Sequence, residues 1–457
     1  MNSIKLYRYF SIFLFVIILL SHTIGATNCW IRDEDNRAII FHGLNISNAA
    51  KRTENQISWH TFEDYERMTF DWGFNCIRLL IFWSAIEPEP GVFNESYLDL
   101  VAERVSWAED LGMYVILDMH QDLFSEKFGG DGAPLWAVWD DGFEFRTLEP
   151  WWLNYIQPAV RRTFKNFWTA EELKNHFISS WIFVAERFNE SSAVIGYEII
   201  NEPYFGTFLP WTFEKTYLKD FYLDVVSGIR TVDLNHYFFY EPQIMTNSGF
   251  KSYLPSLETE KVVYAPHFYL PTVHEGLPYL GLPFFIKRAL SMRNSEAEDA
   301  SVAWLLGEFG VNKDVVGREL YLKYILGMLN SYTASWTYWS YDYGSNENFG
   351  IINESGCENP QLNILVYPYP QKIAGDPKCF NYNYKTKSFS LEFFENGSSE
   401  GPSEIYVGKS RIYPDGFNVY CSDLDGSWSW EYVPTYEKVL VWTNSTDDLH
   451  KIEIKPN

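Results

Sequence analysis

Two glutamates far apart in the chain each end a short apolar run, and together they could carry out acid–base and nucleophilic chemistry. Glu202 stands in Ile200-Asn201-Glu202-Pro203 and Glu308 in Leu306-Gly307-Glu308-Phe309. A carboxylate at such a position is costly to bury unless it serves a site. Retaining hydrolysis of a glycosidic bond needs two carboxyl groups, one ionised and one protonated, roughly 5 Å apart. We therefore predict that Glu202 and Glu308 form a catalytic pair.

Other polar or aromatic residues also lie in or directly after apolar runs. If the runs are parallel barrel strands, their carboxyl ends meet at one face, which is where barrel enzymes place their active sites. Each residue also has an ordinary alternative, such as a core histidine for His120, a helix cap for Asp122 or a buried ion-pair partner for Glu308. We predict that the set binds substrate: Arg78, His120, Asp122, Asn201, His267, Tyr269 and Trp339.

Eight short apolar runs, which alternate with amphipathic stretches, would position these residues. Such alternation predicts an α/β fold, a (β/α)₈ TIM barrel over residues 29–368. Helices are predicted over 61–71 and 97–110, where Gly73 and Gly112 follow as caps. The long aromatic stretch between the third and fourth runs is expected beside the active site. The runs cover residues 38–44, 76–83, 113–120, 194–201, 237–241, 262–267, 303–308 and 335–340.

After about Tyr369 the pattern changes to short strands between turns, such as Pro414-Asp415-Gly416. This pattern predicts a small antiparallel β-sandwich over residues 369–457. We expect no catalytic residue in this second domain.

The N-terminal residues resemble a secretory signal. Lys5 and Arg8 precede an apolar run over residues 10–20, and the small residues Gly25 and Ala26 follow. The run is shorter than the ~20 residues that span a bilayer, so we predict a cleaved signal over residues 1–25, with an uncleaved anchor as the alternative. A secreted or lumenal location agrees with six N-glycosylation sequons, several of which we expect to carry glycans: Asn45, Asn94, Asn189, Asn353, Asn396 and Asn444.

Five cysteines suit an oxidising compartment. Cys76 lies inside an apolar run and is predicted to be a free core thiol. Cys29, Cys357, Cys379 and Cys421 are predicted to form two disulfides, with three pairings open. The cysteine and histidine spacings do not match a zinc site, and we expect neither a metal nor another cofactor.

The formal net charge of −24 argues against nucleic acid as a partner and against electrostatic docking to anionic lipid. Aromatic residues make up 18% of the chain. They could stack on sugar rings or fill the core of a large barrel, and composition does not separate the two.

The order of the motifs resembles a known group of enzymes. Asn-Glu-Pro after the fourth run and Glu-Phe-Gly after the seventh resemble the clan of retaining barrel glycosidases that includes glycoside hydrolase family 5. The resemblance implies that Glu202 is the acid/base and Glu308 the nucleophile. It also implies that Asn201 binds the sugar 2-hydroxyl, and Arg78, His120, Tyr269 and Trp339 match other site positions.

A finer resemblance is to the endoglycoceramidase subgroup. It rests on residues 117–122 (Leu-Asp-Met-His-Gln-Asp), on Gly43-Leu44-Asn45 and on Lys51, and covers essentially the whole mature chain. It implies that Lys51, His120 and Asp122 hold the glucose nearest the cleaved bond, and that the substrate is a glycosphingolipid cut between oligosaccharide and ceramide. It leaves open whether a lipid activator protein is a further partner.

The loop over residues 270–285 is rich in Leu, Tyr, Phe, Pro and Gly. We predict that it forms no regular helix and makes transient contact with a membrane or micelle through exposed apolar side chains, the alternative being a satellite core.

The sequence also allows other functions. On the same fold, the protein could be an exo-acting glucosylceramidase, a steryl-β-glucosidase or a β-glucanase. A metal-dependent hydrolase would use His120, Asp122 and His267, although such enzymes usually need His-x-His on an early strand. A non-catalytic carbohydrate- or lipid-binding protein is disfavoured because both glutamates are present.

Overall fold

The computed structural model describes residues 30–46, 48–343, 348–443 and 448–457. The predicted signal over residues 1–25, Cys29 and the sequon at Asn444 lie outside these ranges. Within them, no helix is both long and apolar enough to cross a bilayer.

Eight parallel strands close into a barrel, so the predicted TIM-barrel fold is confirmed. Each strand pairs with the next along the chain, and the last pairs with the first, for example His42 with Trp336. The strands are buried on both faces, as expected when helices surround a parallel barrel. They are β2 (His42–Ile46), β3 (Cys76–Ile81), β4 (Tyr114–Met119), β5 (Val194–Glu198), β6 (Tyr237–Tyr240), β7 (Val262–Tyr264), β8 (Ala303–Leu306) and β9 (Ser335–Tyr338).

The helices begin where the sequence supplies caps. The predicted helix 61–71 starts after Thr61, which forms a capping box with Asp64, and the helix predicted to begin at residue 97 starts earlier because Asn94 caps it. The α-helices are Phe62–Glu66, Trp83–Ile86, Glu95–Asp110, Pro158–Thr169, Glu171–Phe188, Pro210–Thr212, Lys219–Ile229, Pro271–His274, Phe284–Ala300, Arg318–Ser331, Leu362–Leu365 and Lys409–Ile412, with π-helical turns at Arg67–Asp71 and Phe213–Leu218.

The first predicted strand, residues 38–44, is wrong as a single element. Ala38–Ile39 forms a separate strand, β1, which leaves the barrel and pairs antiparallel with the second domain, Ala38 opposite Ile373. The barrel strand β2 begins only at His42. Because both segments are buried, the apolar pattern alone does not reveal the break between them.

The second domain is a sandwich of two antiparallel sheets, as predicted. One sheet has the order β1-β10-β13-β16-β15 and the other β11-β12-β17-β14. Buried Phe389, Leu391 and Phe393 alternate with more exposed residues, which gives the sandwich its core. Its further strands are β10 (Tyr369–Ile373), β11 (Asp376–Asn383), β12 (Ser388–Phe394), β13 (Ser403–Tyr406), β14 (Phe417–Cys421), β15 (Ser429–Val433), β16 (Lys438–Trp442) and β17 (Leu449–Pro456).

The sandwich packs closely on the barrel at Gly73. This glycine has a φ of +69°, and a Cβ there would overlap the ring of Tyr406. Its carbonyl accepts hydrogen bonds from Tyr369 Oη and Gln371 Nε2. A larger residue at this position would therefore disturb both the turn and the contact between the domains.

The predicted pair of disulfides is wrong. Cys76 is a buried free thiol, as expected, but among the described residues no disulfide joins Cys357, Cys379 and Cys421 either. If Cys29, Cys357, Cys379 and Cys421 formed two disulfides, one of the two bonds would have to join two of the three described cysteines. Cys379 and Cys421 lie on the opposite edges of a four-stranded sheet, farther apart than a disulfide can reach.

The sequon at Asn45 is also unsuitable as a surface site. Asn45 is buried at the barrel mouth, where its Nδ2 donates to the carbonyl of Gly307.

Candidate active site

The carboxyl ends of the barrel strands bring every predicted site residue into one connected cluster. It runs from Lys51 through Asp122 and His120 to Asp118. Arg78 joins Asp118 to Glu308, and His267 joins Glu308 to Glu202. The full set is Lys51, Arg78, His120, Asp122, Asn201, Glu202, His267, Tyr269, Glu308 and Trp339.

Glu202 and Glu308 face each other across His267. One atom from each of the three side chains lies within 4.8 Å of the others. His267 Nδ1 is 3.0 Å from Glu202 Oε1 and 3.6 Å from Glu308 Oε2. Inverting glycosidases hold their carboxyl groups roughly 6.5–9.5 Å apart to admit a water molecule. The shorter separation here suits direct attack on the sugar.

Glu202 lies in a position that favours its protonated form. Its Oε1 accepts a 2.7 Å hydrogen bond from Asn247 Nδ2, which favours the ionised form, but burial acts in the opposite direction. Burial, and then the charge of Asp122, raise the pKa of Glu202 to about 7. The carboxyl group can therefore carry a proton under mildly acidic conditions.

Hydrogen bonds fix both oxygens of Glu308. Arg78 Nη1 donates to Oε1 over 2.8 Å, and Tyr269 Oη donates to Oε2 over 2.9 Å. Burial raises the pKa of Glu308, while His267 and Arg78 act to lower it. The guanidinium group thus favours the ionised form that a nucleophile requires.

Arg78 is fully buried among more carboxyl groups than one cation can neutralise. It lies 2.7 Å from Glu198 and 3.1 Å from Asp118, in addition to Glu308. Burial and the charge of Glu198 raise the pKa of Glu241 well above its usual range. Sequence reasoning missed Asp118, Glu198 and Glu241, although each lies in or just after an apolar strand.

Asn201 is held by both ends of its amide group. Its Oδ1 accepts from Arg78 Nη2 over 2.9 Å, and its Nδ2 donates to the carbonyl of Gln121 over 3.0 Å. These bonds fix the side chain directly beside Glu202.

His120 connects this centre to the charged side of the mouth. Its Nδ1 lies 2.6 Å from Asp118 Oδ2, and its ring stacks on Trp339. Burial and Lys51 act to lower the pKa of His120, but Asp118 and Asp122 outweigh them and raise it to about 9.

Lys51 is not a solvated loop charge. Its Nζ lies 2.5 Å from Asp122 Oδ2 and 4.6 Å from the centre of the Trp339 ring. Burial opposes both charges, but the ion pair holds the pKa of Asp122 below its usual range and that of Lys51 above it.

Asp131, which sequence reasoning missed, lies beside this pair. It forms an antiparallel bridge with Asp122, and burial raises its pKa to about 6.

Asn247 is a second residue that sequence reasoning missed. It lies in the 3₁₀ turn Ile244–Ser248, and its carbonyl accepts a 2.8 Å hydrogen bond from Tyr269 N. The turn therefore ties the partner of Glu202 to the partner of Glu308. No sequence pattern marks Asn247, because turns are commonly polar.

The metal-dependent alternative built on His120, Asp122 and His267 does not fit the positions of these residues. The alternative required His120, Asp122 and His267 together, but His267 lies with the two glutamates. Asp122 is paired with the ammonium group of Lys51 instead.

Two clefts open from Lys51. The first cleft, of about 740 Å³, lies between the turn Asn48–Arg52, Trp151 and Tyr343. The second cleft, of about 670 Å³, lies between the same turn, Glu89 and Trp136. They meet at Lys51, Arg52, Thr53, Gly130 and Asp131.

The loops after β5, β6 and β7 form an apolar rim. Leu280 is 82% exposed, whereas Val273 and Tyr279 of the same loop are buried. The expected absence of helix in residues 270–285 is wrong in part, because Pro271–His274 is helical and Phe284 begins another helix. The exposed members of the rim are Leu209, Trp211, Met245, Phe250, Tyr253, Leu277, Leu280, Leu282, Phe284 and Phe285.

Family models cover most of the chain. Residues 33–345 match the model described as cellulase (glycosyl hydrolase family 5), and residues 368–454 match the family 5 C-terminal domain. The chain belongs to glycoside hydrolase family 5. As a family 5 member it is a glycoside hydrolase, so a non-catalytic binding protein is excluded.

Within family 5 the chain is endoglycoceramidase-like, as its motifs predicted. Endoglycoceramidase I of Rhodococcus hoagii is 28% identical over 421 residues, which cover 87% of this chain and 82% of the relative. Endoglycoceramidase of Hydra vulgaris is 28% identical over 395 residues, covering 78% and 74%. Endo-glycoceramidase II from Rhodococcus sp., solved as a ganglioside GM3 complex, superposes with a TM-score of 0.86 at 28% identity, covering 94% and 99%.

Proposed function

We propose that this family 5 protein is a retaining endo-β-glycosidase that cleaves glycosphingolipids between the oligosaccharide and the ceramide. The observation that carries the proposal is the division of the barrel mouth around the carboxyl pair. Charged clefts open on the side of Lys51, and the apolar rim lies over β5, β6 and β7. A substrate with a sugar head and an alkyl tail matches this division. The names of the relatives support the same substrate class.

In the first step, Glu308 attacks the anomeric carbon of the sugar next to ceramide. The carbon–oxygen bond to ceramide breaks, and Glu202 gives its proton to the leaving oxygen. Because Oε1 of Glu202 accepts from Asn247, the transferred proton is assigned to Oε2. Ceramide leaves, and the oligosaccharide is esterified to Glu308.

In the second step, a water molecule attacks the same anomeric carbon. Glu202, now ionised, takes the proton from this water, the ester to Glu308 breaks, and the free oligosaccharide leaves with its configuration retained. Arg78 and Tyr269 bind the carboxylate of Glu308 as its charge changes.

The residues on the charged side would hold the sugar during both steps. Asn201, fixed beside Glu202, is assigned to the 2-hydroxyl, whose hydrogen bond strengthens in the transition state. Lys51, His120 and Asp122 are assigned to the other hydroxyls of that sugar, and Trp339 to its apolar face.

The open clefts favour endo-action over the exo-acting glucosylceramidase and steryl-glucosidase alternatives. An exo-acting enzyme must close its sugar site beyond the first residue. Here the first cleft continues from Lys51 and Asp122 to the exposed rings of Trp151 and Tyr343. This space can take further sugars.

We also propose that the apolar rim makes transient contact with a membrane or micelle, which would let ceramide reach the site with or without a lipid activator protein. Exposed apolar side chains on neighbouring loops commonly mark such contacts. A secreted or lumenal location is part of the proposal and is supported by the signal-like residues 1–25.

The decisive experiment is hydrolysis of lactosylceramide that carries a fluorescent acyl chain, with chromatography of both products. Endo-action gives intact lactose and intact ceramide together. Release of galactose before any ceramide would establish exo-action, and release of neither would contradict the assignment to glycosphingolipids.

A further inference from the structure

The two clefts carry an excess of negative charge. Lys51 and Arg52 line both of them. Each cleft is lined by four acidic side chains against these two cations. The first cleft has Asp122, Asp131, Glu149 and Asp342, and the second has Glu54, Glu89, Glu126 and Asp131.

The cations do not offset this charge. Lys51 is already paired with Asp122 at 2.5 Å, which leaves Arg52. Among the described residues, Glu54, Glu89, Glu126 and Glu149 form no ion pair and lie exposed on the cleft walls. Their charges therefore act on whatever enters the clefts.

Asp131 indicates what kind of ligand these clefts suit. It lies at their junction, is only 6% exposed, and its Oδ1 has no hydrogen-bond partner among the described residues. A buried carboxylate oxygen without a partner is costly, and it accepts a hydroxyl hydrogen bond readily. A sugar hydroxyl satisfies this oxygen. Because burial raises the pKa of Asp131 to about 6, the group is charged above that pH and then repels a second carboxylate.

We propose that the two clefts meeting at Asp131 take an uncharged oligosaccharide, and that their carboxylates discriminate against head groups that carry a carboxylate of their own. The inference deepens the proposed function, on which it rests for the position of the sugar. It adds the chemical class of the head group.

The test uses monomeric substrates, so that the surface charge of micelles plays no part. We would compare p-nitrophenyl β-sialyllactoside with its sialic acid methyl ester, because the two differ by one charge at the same size. The Debye length falls from about 30 Å at 10 mM salt to about 4–5 Å at 0.5 M. At pH 7, where Asp131 is ionised, we expect kcat/KM to favour the ester by about tenfold at low salt and by about twofold at high salt.

Charge-neutral variants locate the effect. The quantity compared is the gap in kcat/KM between the methyl ester and the charged sialyl substrate. Glu89→Gln combined with Glu149→Gln should narrow this gap several-fold at low salt. Asp131→Asn should also narrow it, although the amide still offers an oxygen to sugar hydroxyls. The matched control is Glu431→Gln, an exposed glutamate on β15 of the sandwich, which should leave the gap unchanged. An equal change in the control would mean that net charge, rather than the clefts, is responsible, and would overturn the inference.

Equal rates for the two sialyl substrates at low salt, or faster cleavage of the charged one, would also overturn it. So would failure to cleave p-nitrophenyl β-lactoside, because the clefts would then take no oligosaccharide. Cleavage of the lactoside with the expected charge gap, but without cleavage of lactosylceramide, would contradict only the proposed lipid substrate and leave this inference standing.

Discussion

The loops after β9, β2, β3 and β4 place charged groups around two clefts, whereas those after β5, β6 and β7 present apolar side chains to solvent. The strands beneath both halves of the mouth are equally buried. The difference in chemistry between the two halves therefore comes from the loops, and the barrel strands do not contribute to it. The carboxyl pair lies where the two halves meet, which is where an amphiphilic substrate changes from sugar to lipid.

The largest effect is expected at this border. Glu202→Ala and Glu308→Ala should each lower kcat on a glycolipid by about 10³-fold or more, because each removes a group that takes part in bond breaking. An aryl glycoside with a good leaving group needs little protonation, so it should partly restore turnover in Glu202→Ala. It should not do so in Glu308→Ala unless azide or formate is added as a nucleophile. Steady-state kinetics on both substrates measure this, and an identical response of the two variants would mean that the roles are misassigned.

The charged half is tested by Asp122→Ala. This variant leaves Lys51 buried without its partner and removes a sugar contact, so kcat/KM should fall by about 100-fold. The loss should be similar for a glycolipid and for an aryl lactoside, because both carry the sugar. A loss confined to the glycolipid would place Asp122 on the lipid side and contradict the division of the mouth.

The apolar half is tested by replacing Leu280 and Phe284 with Ser. Hydrolysis of a long-chain glycolipid should weaken by about tenfold, while hydrolysis of the aryl lactoside should change little, because only the lipid uses this remote binding energy. Leu234→Ser is the matched control, since Leu234 is similarly exposed but precedes β6 at the opposite end of the barrel. Equal losses on both substrates would show that the loop is structural.

The smallest effect is expected on the pH profile of activity, through the pKa of Glu202. With the pKa of Glu202 at about 7, activity is present below this value and should be lost as the pH rises through it. The pH profile should therefore be bell-shaped with its optimum on the acid side of neutral. Asn247→Ala removes a donor that favours the ionised form, so the alkaline limb should move upward by about half a unit. A lower rate with an unmoved limb would indicate that Asn247 is only structural.

Much of this architecture could be predicted from sequence, because buried parallel strands read as apolar runs and site residues follow their ends. The pattern fails where two different elements are equally buried, as at Ala38–Ile39 and His42–Ile46. It also fails for Asn247 and Asp131, which lie in polar loops where only the folded chain shows their partners. The disulfides were wrong because cysteine count does not encode distance across a sheet.

The pairing of Ala38–Ile39 with Tyr369–Ile373 has a consequence for folding. As the ribosome releases the chain, β1 emerges among the first elements, yet its partner strand follows only after the whole barrel has been made. The two strands are thus very far apart in sequence. The entropy cost of bringing them together arises only late, after the barrel has been synthesised. Until then β1 is paired only with the residues that precede it, Ala38 with Arg32 and Ile39 with Ile31, and its other edge stays open to pairing with other chains. A chain ended at residue 368 would keep that strand permanently without its partner, so the barrel is unsuited to excision as an independent unit.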